Sequence, residues 1–395
     1  MQKQGKLKIG LLVNPIAGMG GKVGLHGTDD FLLQRAKDLG AKGVSTQRTQ
    51  RAIKPLISHS AKISFYTPPN TMGADVLDFF NLPYELLHQS GGSQTTAIDT
   101  HQTVLAFMAE KVDVILFAGG DGTARDIFSK VGATIPMLGI PTGVKMRSGV
   151  FANYPEEAAE IIIDALAALE NATEIQFCNT EILDLTDLNQ DYSESHFFGS
   201  ARTFSAPNRI SSPKLNSNAS SDVALQELAK HQANNLTKDR LYLFGPGRSA
   251  KMVLAELGAI DSHHSLAGVD ALFNGTLIGQ DLDEKSILEL INAHSGKSEP
   301  FIFLGVIGGQ GFLLGRGNQQ LSLEVMSRIG AINTFVLASA SKINGTVPTR
   351  LYVDFDEGPT AKIFADYIQV HVAKNRTLVC KVVSSGLATT NVRAS

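Results

Sequence analysis

In FAGGDGTARD, residues 117–126, one carboxylate, Asp121, stands between Gly119–Gly120 and Gly122–Thr123. Glycine lets backbone N–H groups approach an anion with no Cβ in the way, and a helix N-terminus behind such a turn adds partial positive charge. Phosphate is the natural guest. An ionised Asp121 would repel it, by on the order of 1–4 kcal/mol at ~4 Å in a partly wet site. The carboxylate therefore needs a use. It can serve as general base toward an acceptor hydroxyl during phosphoryl transfer, or meet the Mg2+ that travels with a nucleoside triphosphate. The plainer role is a helix cap or Asx turn, and Thr123 is already available as the cap.

Similar glycine clusters follow other apolar runs: GMGG at 18–21, GPG at 245–247, GGQG at 308–311 and GRGN at 315–318. Each falls where a parallel strand would end, the edge of an α/β sheet at which ligands collect. Two familiar phosphate motifs are excluded. GMGGKVG lacks the G-x-G-x-x-G spacing, and Lys22 is followed by Val23 rather than by Ser or Thr as in a P-loop.

The elements that must carry these loops are legible from the pattern. KVDVILFA (111–118) is a Val/Ile-rich run that reads as a buried parallel strand, and TARDIFSKVG reads as a helix with Thr123 as N-cap. KIGLLV is a first strand entering NPIAGMGG, and FLLQRAKDLGA has helical spacing. KISFYTPP, PYELLHQ and IPMLGIP are further strands; TTAIDTHQTVLAFMAEK and EEAAEIIIDALAALEN are helices, the second closed by Asn171. This alternation implies an α/β N-terminal domain, residues 1–174, with a mostly parallel, doubly wound sheet. From 175 to 395 strand-like runs dominate, with fewer helices, implying a β-rich C-terminal domain. Ser205–Asp222, rich in Ser, Asn and Pro, is expected to be a mobile surface excursion inside that domain, to which no structure is assigned.

With 395 residues, 43% hydrophobic and 18% charged, the chain can bury a large core in two domains. A net charge of -3 gives no global field for nucleic acid or an anionic membrane, so anionic ligands must be held locally. Cys178 and Cys380, each inside an apolar run, argue against a disulfide scaffold or a zinc site. The adjacent His263 and His264 lack a third ligand pattern, so no metal site is expected there. The first residues are too short an apolar run for a signal segment and no run approaches a membrane span; a cytoplasmic protein is expected.

GGDGT after an apolar strand is shared by NAD kinases, diacylglycerol-type lipid kinases and, with variations, phosphofructokinases. With NPIAGMGG, LGIPTGVKMRSGVFA and GGQGFLLGRGNQQ in order, the chain resembles the ATP-NAD kinase-like family, in a branch similar to the acetoin-catabolism protein X. The resemblance implies two domains closing a nucleotide cleft, and transfer of a phosphoryl group from ATP or polyphosphate, with Mg2+, to the 2'-hydroxyl of NAD. A homo-oligomer is expected. Asp121 is then the catalytic residue or a partner of Mg2+. Asn14, Pro15, Gly18, Gly20 and Gly21 line the nucleotide with their backbone, and Lys22 neutralises phosphate. Gly119, Gly120, Gly122 and Thr123 admit the donor phosphates; Arg125 points back to that loop or pairs with a sheet-edge carboxylate. Gly143, Lys145 and Arg147 follow, the last two offering charge to phosphate. From the second domain Gly245, Gly247, Arg248 and Gly309 complete the cleft, with Arg316 forked onto phosphate and the amides of Asn318 and Gln319 reading a ribose or base edge. Arg248 and Ser249 stand where relatives carry small hydroxyl residues, and Arg147 where His is expected. The Asn-Glu pair by which NAD kinases hold NAD has its nearest counterpart in NTE, 179–181, which reads as the start of a strand. Two other readings stay open: a kinase of the same fold for another hydroxyl metabolite or a lipid, and a nucleotide-binding protein without turnover.

Overall fold

A computed structural model describes residues 5–25, 30–87, 95–144, 146–184, 196–206, 209–210, 219–261, 264–296, 299–307, 310–344, 350–355 and 363–384. The chain divides into two compact units, Met1–Met19 with Lys42–Pro213, and Gly20–Ala41 with Lys214–Ser395.

In chain order, the first half forms β1 (Leu7–Val13), α1 (Asp30–Asp38), α2 (Ser45–Ile53), β2 (Ile63–Thr67), α3 (Ala74–Phe79), β3 (Tyr84–Leu86), α4 (Ala97–Glu110), β4 (Val114–Gly119), α5 (Asp121–Val131), β5 (Met137–Pro141), α6 (Pro155–Glu170), β6 (Phe177–Asp184) and β7 (His196–Phe204). All but α1 belong to the first unit. Its parallel sheet has the order β3-β2-β1-β4-β5. Successive strand residues face opposite ways. Ile9, Leu11 and Val13 join one apolar cluster with residues of α2, α3 and α6; Leu12, Ile115 and Phe117 join another with residues of α4 and α5. A strand buried on both faces must be apolar throughout, which is why these strands read as unbroken hydrophobic runs. The sheet is doubly wound.

The division of the chain falls after Pro213, not at 174, and residues 20–41 group with the second unit. The reason lies in the β6–β7 hairpin: Phe204 and Phe177 pack into one cluster of the first unit and Ile182 and Ala201 into the other. EIQFCN and EILDLT are one strand rather than two. Among the described residues of the Ser205–Asp222 segment, Ile210 bridges Ala152, Asn153 N–H donates to the Arg209 carbonyl over 2.8 Å, and a helix starts at Ala219.

The second unit contains α7 (Ala219–Asn234), β8 (Leu241–Phe244), α8 (Arg248–Glu256), β9 (Val269–Phe273), β10 (Thr276–Leu282), α9 (Glu284–Ala293), β11 (Phe301–Gly305), β12 (Phe312–Leu314), α10 (Leu323–Ile329), β13 (Thr334–Leu337), α11 (Ala340–Asn344), β14 (Arg350–Val353), β15 (Tyr367–Ala373) and β16 (Arg376–Ser384). Among the described residues nine strands form one mixed sheet, order β10-β9-β8-β11-β13-β15-β16-β14-β12. The unit is β-rich, as expected, yet helices cover both faces. Residues of α7 and α8 pack with Tyr242, Phe244 and Phe303 on one side; Ile287, Ile291, Val325 and Met326 of α9 and α10 pack with Leu243 and Leu304 on the other. No helix among the described residues is long and apolar enough to cross a membrane.

Candidate functional site

In the first unit β1 is followed in the sheet by β2 on one side and β4 on the other, so the strand order reverses between β1 and β4. At such a switch point the loops leave in opposite directions and open a crevice beyond the carboxyl ends of the strands, where ligands bind in open α/β sheets. Asn14 follows β1 and Gly120–Asp121 follows β4. The two loops are tied together: Asn14 N–H donates to the Ala118 carbonyl over 2.9 Å, and Asn14 Nδ2 donates to Thr123 Oγ1 over 3.0 Å. Asn14 Oδ1 in turn accepts from Ile16 N–H.

A third loop, after β5, joins them. Thr142 N–H and Gly143 N–H both donate to the Gly119 carbonyl, and a Cβ on Gly143 would lie 2.6 Å from Gly120 Cα. Gly18 has φ +80, and a Cβ there would lie 2.1 Å from the Thr142 carbonyl oxygen. Only glycine fits either place. Ser45 Oγ donates to the Ala17 carbonyl and anchors the far end of the β1 loop on α2.

Asp121 is the first residue of α5, with Gly120 as N-cap; the cap lies three residues earlier than the sequence pattern places it, and Thr123 sits inside the first turn. The Asp121 carboxylate forms no cap on its own helix. Oδ1 accepts from Arg147 N–H at 3.0 Å and Ser148 N–H at 2.9 Å, and Oδ2 shares the Arg147 N–H at 2.7 Å. These donors lie 26 and 27 residues downstream. The residue is only 6% exposed. Burial raises its carboxyl from the ordinary 3.8 to about 7; hydrogen bonds from Ser148 and Arg147 pull the other way, and the charge of Asp184 adds to the rise. A carboxylate offers about four acceptor positions, so Oδ2 retains capacity.

Arg147 serves this site through its main chain. Its side chain, expected to offer charge to phosphate, is 6% exposed, and burial pushes the guanidinium below its usual range, against the pull of Asp121 and Asp184. Of the two expectations for Arg125, the structure realises the carboxylate: it pairs with Asp184 Oδ2 at 2.8 Å, at the end of β6. Gly122 and Pro15 flank these contacts, both partly exposed. Lys145 lies outside the described residues. Asn179 and Glu181 are interior to β6, facing Arg202 and Ser200 of β7 in register, and form no separate motif.

The remaining expected residues belong to the second unit, where Gly21 and Gln319 meet. Gly21 packs on Gln319, with 3.0 Å from a notional Cβ to the Gln319 Cβ, and Lys22 lies 3.9 Å from Glu284, so NPIAGMGG is split, Gly20 onward belonging to this unit. Gly245 N–H donates to the Phe303 carbonyl; Gly247, at φ +99, is the N-cap of α8, which Arg248 opens as an exposed residue. Arg316 is buried with its guanidinium 4.4 Å from the Phe312 ring centroid. Asn318, expected to read a ligand, holds its own loop instead: Oδ1 accepts from Gly315 N–H and Nδ2 donates to the Leu313 carbonyl. Gly309 lies outside the described residues.

Sequence reading missed Ser148, Asp184 and a buried trio in the second unit. Asp270 Oδ2 takes Lys251 Nζ and His264 Nε2, each at 2.5 Å, and Oδ1 accepts from Asp281 N–H. His264 is thus a partner of a carboxylate; His263 lies outside the described residues. Among the described residues no three His, Cys, Asp or Glu side chains gather to hold a metal. Asp121, already holding amide donors, and the nearby Asp184 suit one or two contacts to an ion carried by phosphates, not an all-protein cage.

Residues 9–170 match the family model of the ATP-NAD kinase N-terminal domain. The match contains Asn14, the GGDGT turn and the 142–148 loop. No curated protein matches the chain. A solved structure of a Bacillus anthracis str. Sterne protein assigned as a diacylglycerol kinase is 20% identical over 44% of this chain and 45% of that one, with a TM-score of 0.23. The match thus spans less than half of that protein's length.

Proposed function

We propose that this chain, NAD kinase-like over residues 9–170, is a kinase that transfers a phosphoryl group from ATP, or polyphosphate, to the 2'-hydroxyl of the adenosine ribose of NAD. The observation that carries the reading is the junction of the Asn14 loop and the GGDGT turn at the point where the strand order reverses. There the backbone at 119–123 and the N-terminus of α5 attract phosphate, while Asp121 is the nearest carboxylate to them.

In this reading the acceptor hydroxyl gives its proton to Asp121 as its oxygen bonds to the terminal phosphorus, and the bond from phosphorus to the bridging oxygen breaks, leaving ADP. A carboxyl that titrates near neutrality is suited to taking that proton and releasing it afterwards. Mg2+ bound to the donor phosphates would supply charge neutralisation, with Asp121 and Asp184 the acidic groups able to meet it. The amides of Arg147 and Ser148 keep the Asp121 carboxylate from swinging away.

A second acceptor class is favoured by one observation: Asn179 and Glu181, the nearest counterpart of an NAD-holding pair, are committed to β6, with the Glu181 carbonyl accepting from Gly149 N–H. The experiment is to incubate purified protein with ATP, Mg2+ and NAD and follow NADP, beside parallel reactions with nucleosides, small alcohols and diacylglycerol. NADP formation that falls ~100- to 10,000-fold in Asp121→Asn supports the reading. Turnover of another acceptor moves the substrate class, and ATP binding with no product from any acceptor overturns the kinase.

A further inference from the structure

The second unit has a switch point of its own. β8, β11 and β13 lie side by side and parallel, so their carboxyl ends share one edge of the sheet. β8 leads into α8, whose Ala250, Val253 and Leu254 pack on one face with Phe244 and Phe303. Beyond β11 the chain passes through β12 to α10, whose Val325 and Met326 pack on the other face. The connections after β8 and β11 therefore diverge and open a crevice outside the strand ends, where ligands enter open α/β sheets.

The turn at that crevice is GPG, 245–247. Gly247 is the N-cap of α8, and its N–H is spent on the Leu266 carbonyl. Helical bonding begins with Lys251 N–H on the Gly247 carbonyl, so the Ser249 and Ala250 N–H groups have no acceptor within the helix and stand at the positive end of its dipole. Ser249 is 2% exposed, and its side chain is aimed across the strand ends. Its Oγ lies 3.8 Å from where a Cβ on Gly305, the last residue of β11, would stand, and it accepts from Lys342 Nζ, in α11 after β13, over 3.5 Å. Among the described residues the Ser249 hydroxyl donates to nothing. A buried hydroxyl hydrogen in that position is unfavourable until an acceptor arrives. One turn further along α8, Lys251 meets the buried Asp270 carboxylate, which also holds His264, so that negative charge is already engaged behind the turn.

We propose that Ser249, the N-terminus of α8 and Lys342 form a second anion site, built for a phosphate group. The Ser249 and Ala250 N–H groups and the Ser249 hydroxyl donate to its oxygens, and the Lys342 ammonium offsets its charge. Phosphate supplies both the acceptor that the hydroxyl lacks and the negative charge that the helix end and the ammonium favour. The residues all belong to the second unit, so the proposal is independent of the kinase reading of the first. The phosphate is either free or part of a nucleotide, and the two are separated by experiment.

The measurement is 1H–15N TROSY NMR of the intact chain, titrated at constant ionic strength with inorganic phosphate and, in a second series, with ADP. The Ser249 and Ala250 amides should shift and saturate. Lys342→Gln should weaken that response roughly 10- to 100-fold and Ser249→Ala roughly 3- to 10-fold, the losses of a charge-assisted and a neutral hydrogen bond. Spectra of both variants should otherwise match the parent, which separates loss of the site from loss of fold. Tighter binding of ADP assigns a nucleotide phosphate, and tighter binding of inorganic phosphate a free one. No response of these amides to either probe, or a response that both variants leave unchanged, overturns the proposal. Silence of the 119–123 amides in the same spectra would instead tell against the kinase reading.

Discussion

Asn14 and Thr123 lie 109 residues apart in the chain, yet the Asn14 amide donates to the Thr123 hydroxyl over 3.0 Å and closes the gap between the loops after β1 and β4. Neither residue is at a helix cap or in a turn with the other. The bond joins two motifs that have no local reason to touch. Thr123 is 5% exposed, so losing its hydroxyl leaves a part-buried amide short of an acceptor.

Thr123→Val should lower the stability of the chain by ~1–2 kcal/mol, read as a drop in the midpoint of urea unfolding, with Thr123→Ser close to the parent. Binding of ATP should weaken in the Val variant and persist in the Ser variant. Equal stability for Val and parent would mean the bond contributes nothing.

Glu157 provides a test of buried charge away from the site. It lies in the first turn of α6, 6% exposed, and its Oε2 is buried with no hydrogen-bond partner among the described residues. Burial raises its carboxyl from 4.5 to about 8, Glu160 adds to the rise, and Asn153 and Arg209 oppose it. The folded protein therefore binds this proton more tightly than the unfolded chain, and stability falls as pH climbs from 4.5 to about 8. Glu157→Gln abolishes that loss. The variant should exceed the parent by ~3–5 kcal/mol at pH 9, and the advantage should disappear below pH 4.5. Denaturant midpoints measured across this range decide the matter; parallel curves for the two proteins would refute it.

The Lys251–Asp270 pair of the second unit is 1% and 0% exposed. Burial pushes the Lys251 ammonium below its usual range, and Asp270 restores part of it. Removing Lys251 leaves the buried Asp270 carboxylate without its ammonium partner, against the His264 ring and the Asp281 N–H. Lys251→Met should destabilise by ~3–5 kcal/mol in thermal or urea unfolding, and adding Asp270→Asn to it should recover part of the loss. A double variant as unstable as the sum of the two singles would show that the pair is not coupled.

Much of the architecture was written in the residue order. Apolar runs such as VILFAG and KIGLLV announce strands buried on both faces, the glycine turn and the apolar period after it announce a helix, and the alternation of the two dictates a parallel sheet. The GGDGT and NPIAGMGG loops could be located, and the ends of the strands they follow could be named. These are local properties, set by side-chain period and by what glycine alone can do with its backbone.

What joins the pieces is not local, and only the tertiary structure decided it. The 205–222 segment shows no apolar period, so its bridge from Ile210 to Ala152 could not be read. The β6–β7 hairpin looks like the start of a second domain until its Phe and Ile side chains are seen to fill the core of the first. Asp121 held by amides 26 and 27 residues away, Ser148 stitched to Leu183, Asp184 brought to Arg125, and Lys251 set against Asp270 all depend on which loops the sheet order makes neighbours. A polar side chain carries no periodic mark of its partner; its place in the chain says what it can bond, and the fold alone supplies whom.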